Sequence, residues 1–107
     1  MILKRKNFNQ INNMGFLIYF PDDYNNEEKK YPLLLFLHGA GERGSNLDLI
    51  KRHGIPKRIE EGANFPFIII APQCRDGIWW SNSESIDILE KLMHNLILEL
   101  RIDNKRI

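Results

Sequence analysis

The stretch "YPLLLFLHGAGERG", Tyr31 to Gly44, constrains this chain more than any other. Leu33 to Leu37 is apolar without alternation, so both faces of the segment it forms must be covered. A strand of that kind belongs inside a sheet sandwiched by helices rather than in a half-wet antiparallel sheet. "FPFIIIAP", Phe65 to Pro72, is a second such run. Helical patterns separate and follow the two. A short one spans about Pro56 to Glu61 and ends at Gly62. In a longer one, Ile86, Leu89, Leu92/Met93, Leu96 and Leu100 recur at three- and four-residue steps. Ser81, with Glu84 three residues on, has the capping-box spacing for its start. Buried strands separated by helices predict an α/β fold with a mainly parallel sheet flanked by helices.

The rest of the chain fits around that frame. "GFLIYFP", Gly15 to Pro21, reads as a strand stopped by proline, and the more polar "LKRKNFNQI" before it as a weak edge strand. "DDYNNEEKK", Asp22 to Lys30, is a polar surface loop. In the closing "RIDNKRI", Asp103-Asn104 reads as a turn and Arg106-Ile107 as the opening of a further strand. With 107 residues the chain is at most one domain, residues 1–107, and it has no internal repeat.

Composition removes several function classes. A formal net charge of +1 gives no electrostatic footprint for nucleic acid or an anionic membrane. Lys4 to Lys6, Lys51 and Lys57-Arg58 are scattered surface charge. The single cysteine, Cys74, rules out an internal disulfide framework and a cysteine-based zinc site, and suits a reducing compartment. "MILKRKNFNQ" has no apolar core or cleavage site of a signal peptide, and no apolar run approaches the roughly 18 residues of a membrane span. A cytoplasmic protein without a cofactor is the expectation.

The glycines of "HGAGERG" follow the first buried strand directly. In a parallel α/β sheet, ligands sit outside the carboxyl ends of the strands. Glycine lets backbone approach a ligand closely, since no Cβ intervenes. Amide N–H groups exposed in this way can meet a developing oxyanion, each contributing about 3–4 kcal/mol to transition-state stabilisation.

"PLLLFLHGAGERG", with "FIIIAPQC", "WW" and "IDNKRI", resembles the N-terminal part of an α/β-hydrolase. The branch is the esterase group with carboxylesterase/phospholipase-like, dienelactone-hydrolase-like and prolyl-oligopeptidase-like members. The resemblance runs from about Gly15 to Ile107. It implies that the backbone N–H of Ala40 or Gly41 is an oxyanion donor, within a loop positioned by His38, Gly39, Glu42 and Arg43. Under it His38 is structural rather than a catalytic base. Glu42 and Arg43 either contact substrate or form a local ion pair, and Trp79 and Trp80 either pack in the core or line the substrate pocket. The implied substrate is a small-molecule carboxylic ester.

The family's nucleophile sits in a G-x-S-x-G elbow, with its acid and histidine later in the chain. None of the 107 residues forms that motif, so nucleophile, acid and base are expected beyond Ile107. Ser81 is a helix cap, Ser83 and Ser85 are first-turn residues, and Ser45 lacks the strained strand-to-helix turn of a nucleophile. His53 lies in a basic loop and His94 on the polar side of the long helix. Cys74 has Arg75 beside it but no histidine neighbour in sequence. His38, His53 and Asp48 have no metal-ligand spacing. Gly39, Gly41 and Gly44 also spell G-x-G-x-x-G, with Glu60 or Glu61 at a loosely suitable distance, but no helix former runs out of the glycines. Three readings follow: an oxyanion-loop segment of a serine ester hydrolase, inactive alone; a non-catalytic binding or interaction module; a nucleotide-binding α/β domain. By the family's strand order, a strand after Ile107 lies beside Leu33 to Leu37. Without it that apolar strand is an exposed edge, open to self-association.

Overall fold

The computed structural model describes residues 1–8, 14–25 and 28–107. The tail of the expected edge strand and residues 26–27 of the expected surface loop lie outside the described residues. Chain order is β1 (Ile2–Phe8), β2 (Met14–Phe20), β3 (Leu33–Leu35), α1 (Gly54–Glu60), β4 (Ile68–Pro72) and α2 (Ser83–Glu99). Short 3-10 turns at Ala40–Glu42 and Leu47–Arg52 fill the connection from β3 to α1. The sheet runs β1-β2-β4-β3. β3 and β4 are parallel, with Leu33 opposite Ile68 and Leu35 opposite Ile70. β2 is antiparallel to both β1 and β4. The sheet is therefore mixed, and among the described residues its parallel part is the pair made by the two continuously apolar runs.

Period-two alternation explains why those runs are apolar throughout. Phe16, Ile18, Phe20, Leu33, Ile68 and Ile70 pack on one face with Ile88, Leu92 and Leu96 of α2. Leu17, Tyr19, Ile69 and Ala71 pack on the other with Ile50 and Ile59 of the β3–β4 crossover. Tyr19 also places its hydroxyl where it has no hydrogen-bond partner among the described residues. Burial, then the negative charge of Glu60, pushes its ionisation well above the ordinary tyrosine value.

Three local expectations shift. β3 is shorter than Leu33 to Leu37: Phe36 still donates its N–H to the Ile70 carbonyl at 2.8 Å, but Leu37 turns out to 42% exposure. The cap of α2 is Asn82, not Ser81; its side chain accepts from the Glu84 N–H at 2.9 Å. The buried line of α2 is Ser85, Ile88, Leu92 and Leu96, while Ile86 is 44% exposed. Apolar residues occupy two adjacent faces of this helix, and the sheet covers one of them.

α1 starts at Gly54, with Pro56 inside its first turn. Gly54 has φ +62°, and a Cβ there would stand 2.6 Å from Cε1 of Phe36. Gly54→Ala therefore meets both left-handed strain and the half-buried Phe36 ring. Its expected cost is about 1–3 kcal/mol from strain alone, read as a lower denaturant midpoint with unchanged slope.

The C-terminal segment lies along the free edge of β3. Ile102 bridges Tyr31 in parallel, Tyr31 donates to the Arg101 carbonyl at 2.9 Å and Leu33 to the Arg106 carbonyl at 3.0 Å. The Asp103-Asn104 turn carries this segment, its carboxylate accepting from the Lys105 N–H and from Arg106 Nε. The Lys105 amide first, then Arg106, hold the Asp103 carboxyl below its ordinary value of 3.8. A depressed acid contributes stability above its unfolded-state value and loses it as pH falls through the folded one. Amide-exchange protection of Tyr31 and Leu33 should thus persist from neutral pH down to the ordinary aspartate range and fall below it. In Asp103→Asn that acid-dependent loss should be absent.

Candidate functional site

Because β3 and β4 are parallel, both open at the same rim of the sheet, and their following loops meet there. His38, after β3, is buried at 5% exposure. The Cys74 amide donates to its Nε2 at 2.9 Å. Nε2 is therefore the acceptor, so the ring proton sits on Nδ1, which donates to the Gly39 carbonyl. Trp80 Nε1 donates to the His38 carbonyl at 3.0 Å, its ring 5.0 Å from the imidazole. With both nitrogens engaged by backbone, His38 holds the two loops together and is not free to take a proton from a nucleophile.

Gln73, the first residue after β4, completes the joint. Its buried amide donates to the carbonyls of Glu42 at 2.9 Å and Asn46 at 2.7 Å, and the Gly44 N–H returns to the Cys74 carbonyl at 2.9 Å. In the sequence Gln73 stands out only as part of "FIIIAPQC". The available signal was an amide with two donors placed where glycine-rich backbone leaves carbonyls unpaired.

Between these ties, Ala40 and Gly41 form an exposed 3-10 turn. Both residues are exposed at the rim, and among the described residues no hydrogen bond outside the turn uses the N–H of either. Gly39 (φ −80°) and Gly41 lack positive φ, and a Cβ on Gly41 would meet nothing within 4 Å. The flanking Gly44 does need its conformation, with φ +130° beside Asp76.

Glu42 and Arg43 do not pair with each other. The buried Glu42 carboxylate lies 3.3 Å from Nε2 of the exposed His53, an ion pair when that imidazole is protonated. Arg43 donates from Nε to the Ala40 carbonyl at 3.0 Å and from Nη1 to the Ile78 carbonyl at 3.4 Å, with its guanidinium 4.4 Å over the Trp79 ring. Trp79 is 56% exposed, whereas Trp80 packs against the core. Both line a cavity of about 110 Å3 with His38, Gly39, Ala40, Arg43, Cys74 and Ile78.

The other candidates lie apart from this arrangement. The Cys74 thiol is buried, donating to the Ile78 carbonyl at 3.3 Å, with Ser85 Oγ 3.8 Å away. Ser45 lines a separate cleft with Leu47 and Gln73. Ser81 and Ser83 sit exposed at the start of α2, and His94 on its outer face. Among the described residues no three His, Cys, Asp or Glu side chains gather as metal ligands. The G-x-G-x-x-G run leads into 3-10 turns rather than a long helix, and Glu60 pairs with Lys51 at 3.1 Å. No described helix is long and apolar enough to cross a membrane.

Two substitutions separate scaffold from surface here. His38→Ala leaves the buried Cys74 N–H without its acceptor and should cost about 1–3 kcal/mol. Gly41→Ala removes no bond and meets no atom, and should change stability by less than about 0.5 kcal/mol. Denaturant titration followed by tryptophan fluorescence reads both.

No family model matches the chain, and no curated protein does. A solved structure described as "Crystal Structure of a Thermostable Esterase" is similar to it, with a TM-score of 0.73 and 24% identity over 94% of this chain. The likeness shows the fold, a mixed α/β sheet with helices. This chain spans 32% of that esterase's length.

Proposed function

We propose that this chain supplies the oxyanion-loop part of a serine hydrolase acting on small carboxylic esters, and is inactive by itself. The observation that carries the reading is the pair of amides at Ala40 and Gly41, residues exposed at the carboxyl rim of the parallel strands beside a small cavity. Donors held rigidly at such a rim can stabilise the oxyanion of acyl transfer without reorganising during the reaction. His38, Gln73 and Trp80 position the loop. Nucleophile, acid and base come from residues beyond Ile107.

The free side of β3 supports the same reading. The segment through Arg106 already runs parallel to Tyr31 and Leu33, heading along the edge toward Leu35. Leu35 forms an apolar groove there with Ile86, Leu89, Met93 and Ile97 of α2. A further parallel strand and its helix would cover both edge and groove, and would deliver a strand end next to Ala40 and Gly41. In its absence the same edge is open to self-association.

The test has two arms. The purified 107-residue chain should show no turnover of a p-nitrophenyl ester; turnover abolished by a serine-directed phosphonate would refute the inactivity. The coding sequence downstream of the Ile107 codon should encode a strand ending in G-x-S-x-G, and a chain extended through it should gain esterase activity. A downstream sequence with no such elbow removes the hydrolase reading.

A further inference from the structure

Resting on the hydrolase reading, the geometry points to a substrate class: short esters that also carry a carboxylate, with Arg43 as the residue that selects them. Among the described residues, Arg43 is the only cationic side chain that lines the small cavity; the other linings are His38, whose Nε2 accepts the Cys74 amide, backbone, the Cys74 thiol, Ile78 and two indoles. Its orientation is set before any ligand arrives. Two backbone carbonyls hold Nε and Nη1, and the guanidinium carbon lies 4.4 Å from the centre of the Trp79 ring. Nη2 keeps its hydrogens unclaimed among the described residues. The nearby carboxylates are placed elsewhere: Glu42 against His53, Asp76 beside Gly44. A guanidinium held in this way, facing an apolar wall and lacking a counter-charge, is a receptor for one anionic oxygen.

The cavity sets the size of the group carrying that oxygen. The cavity is small, about 110 Å3. That accommodates a short acyl chain ending in a carboxylate. A single guanidinium matches a single negative charge. An ester carbonyl on the same short chain then reaches toward the Ala40 and Gly41 amides, which lie on the same loop as Arg43. Monoesters of short dicarboxylates have this form: charge at one end, a few methylenes, the scissile carbonyl at the other.

The test needs no nucleophile. The chain's two tryptophans, Trp79 and Trp80, both line this cavity, so intrinsic fluorescence reports it alone. Monomethyl succinate and dimethyl succinate, matched in carbon skeleton, are titrated into the 107-residue chain. The charged monoester should bind at least about tenfold more tightly, the value of one charge-assisted hydrogen bond. Arg43→Gln should bring its affinity down to that of the diester, and Arg43→Lys should retain part of the preference. Cooperative melting of each variant establishes that it is folded, and the comparison on the unaltered chain stands if neither variant is. Equal affinity for the two esters, no binding of the monoester, or an Arg43→Gln variant that keeps the preference overturns the inference. Amide NMR shifts keep it distinct from the hydrolase reading. Equal binding of both esters that moves the Ala40 and Gly41 resonances sinks the selectivity and leaves the oxyanion loop standing. Charge-selective binding that leaves those resonances unmoved does the opposite.

Discussion

β4 is the constraint on which the rest of this structure depends. Every residue from Ile68 to Pro72 is buried. The strand bonds to β2 on one side and to β3 on the other, so it alone joins the antiparallel hairpin to the parallel pair. Each buried isoleucine contributes roughly 1.5–3 kcal/mol through removal of its side chain from water, against about 1 kcal/mol net for a typical hydrogen bond. Apolar burial therefore sets where β4 lies, and the hydrogen bonds set its register. Gln73 and Cys74 leave the end of that strand with no freedom to drift. Their donors can thus hold a loop that belongs to another strand.

The buried polar and charged residues follow from this. His38, Glu42, Gln73 and Ser85 are the ones recorded among the described residues, and all gather at the end of β3 and β4. An unmet polar group in such a place is costly, whereas a fully met one admits a single arrangement. His38 shows the logic most plainly. Accepting the Cys74 amide at Nε2 assigns its proton to Nδ1, and that proton then holds the Gly39 carbonyl. A loop rich in glycine, which gains little rigidity from its own side chains, is made rigid by neighbours that are themselves fixed by the core.

How far this was legible in the sequence follows the range of each interaction. Leu33 to Leu37 and Phe65 to Pro72 are legible as strand-forming runs because that signal lies in local composition; the strands formed are Leu33–Leu35, with Leu34 and Leu35 half-buried, and the fully buried Ile68–Pro72. The position of the glycine loop at a strand end came with them. Ser81 has the capping-box spacing to Glu84, but its neighbour Asn82 is as good a cap, and the backbone path selects Asn82. The stripe that begins at Ile86 is not the buried face of α2, since the helix is apolar on two faces and the sheet's position decides between them. Glu42 with His53, Arg43 with Trp79, and Gln73 with Asn46 join residues 11 to 36 positions apart. No local pattern announces such pairs, and they are what shapes the site.

The glycines show the same division between fold and function. At Gly54 the fold requires glycine twice over, by its φ of +62° and by the Phe36 ring against it, although nothing in the sequence set this residue apart. At Gly41, inside the most conspicuous motif of the chain, the fold requires nothing: φ is ordinary and the space beyond is open. A glycine in a short helical turn lowers stability relative to alanine through backbone entropy. Its lack of a side chain leaves the backbone open on that side. The open side of Gly41 lies on the same loop as Ala40 and Arg43, which line the small cavity.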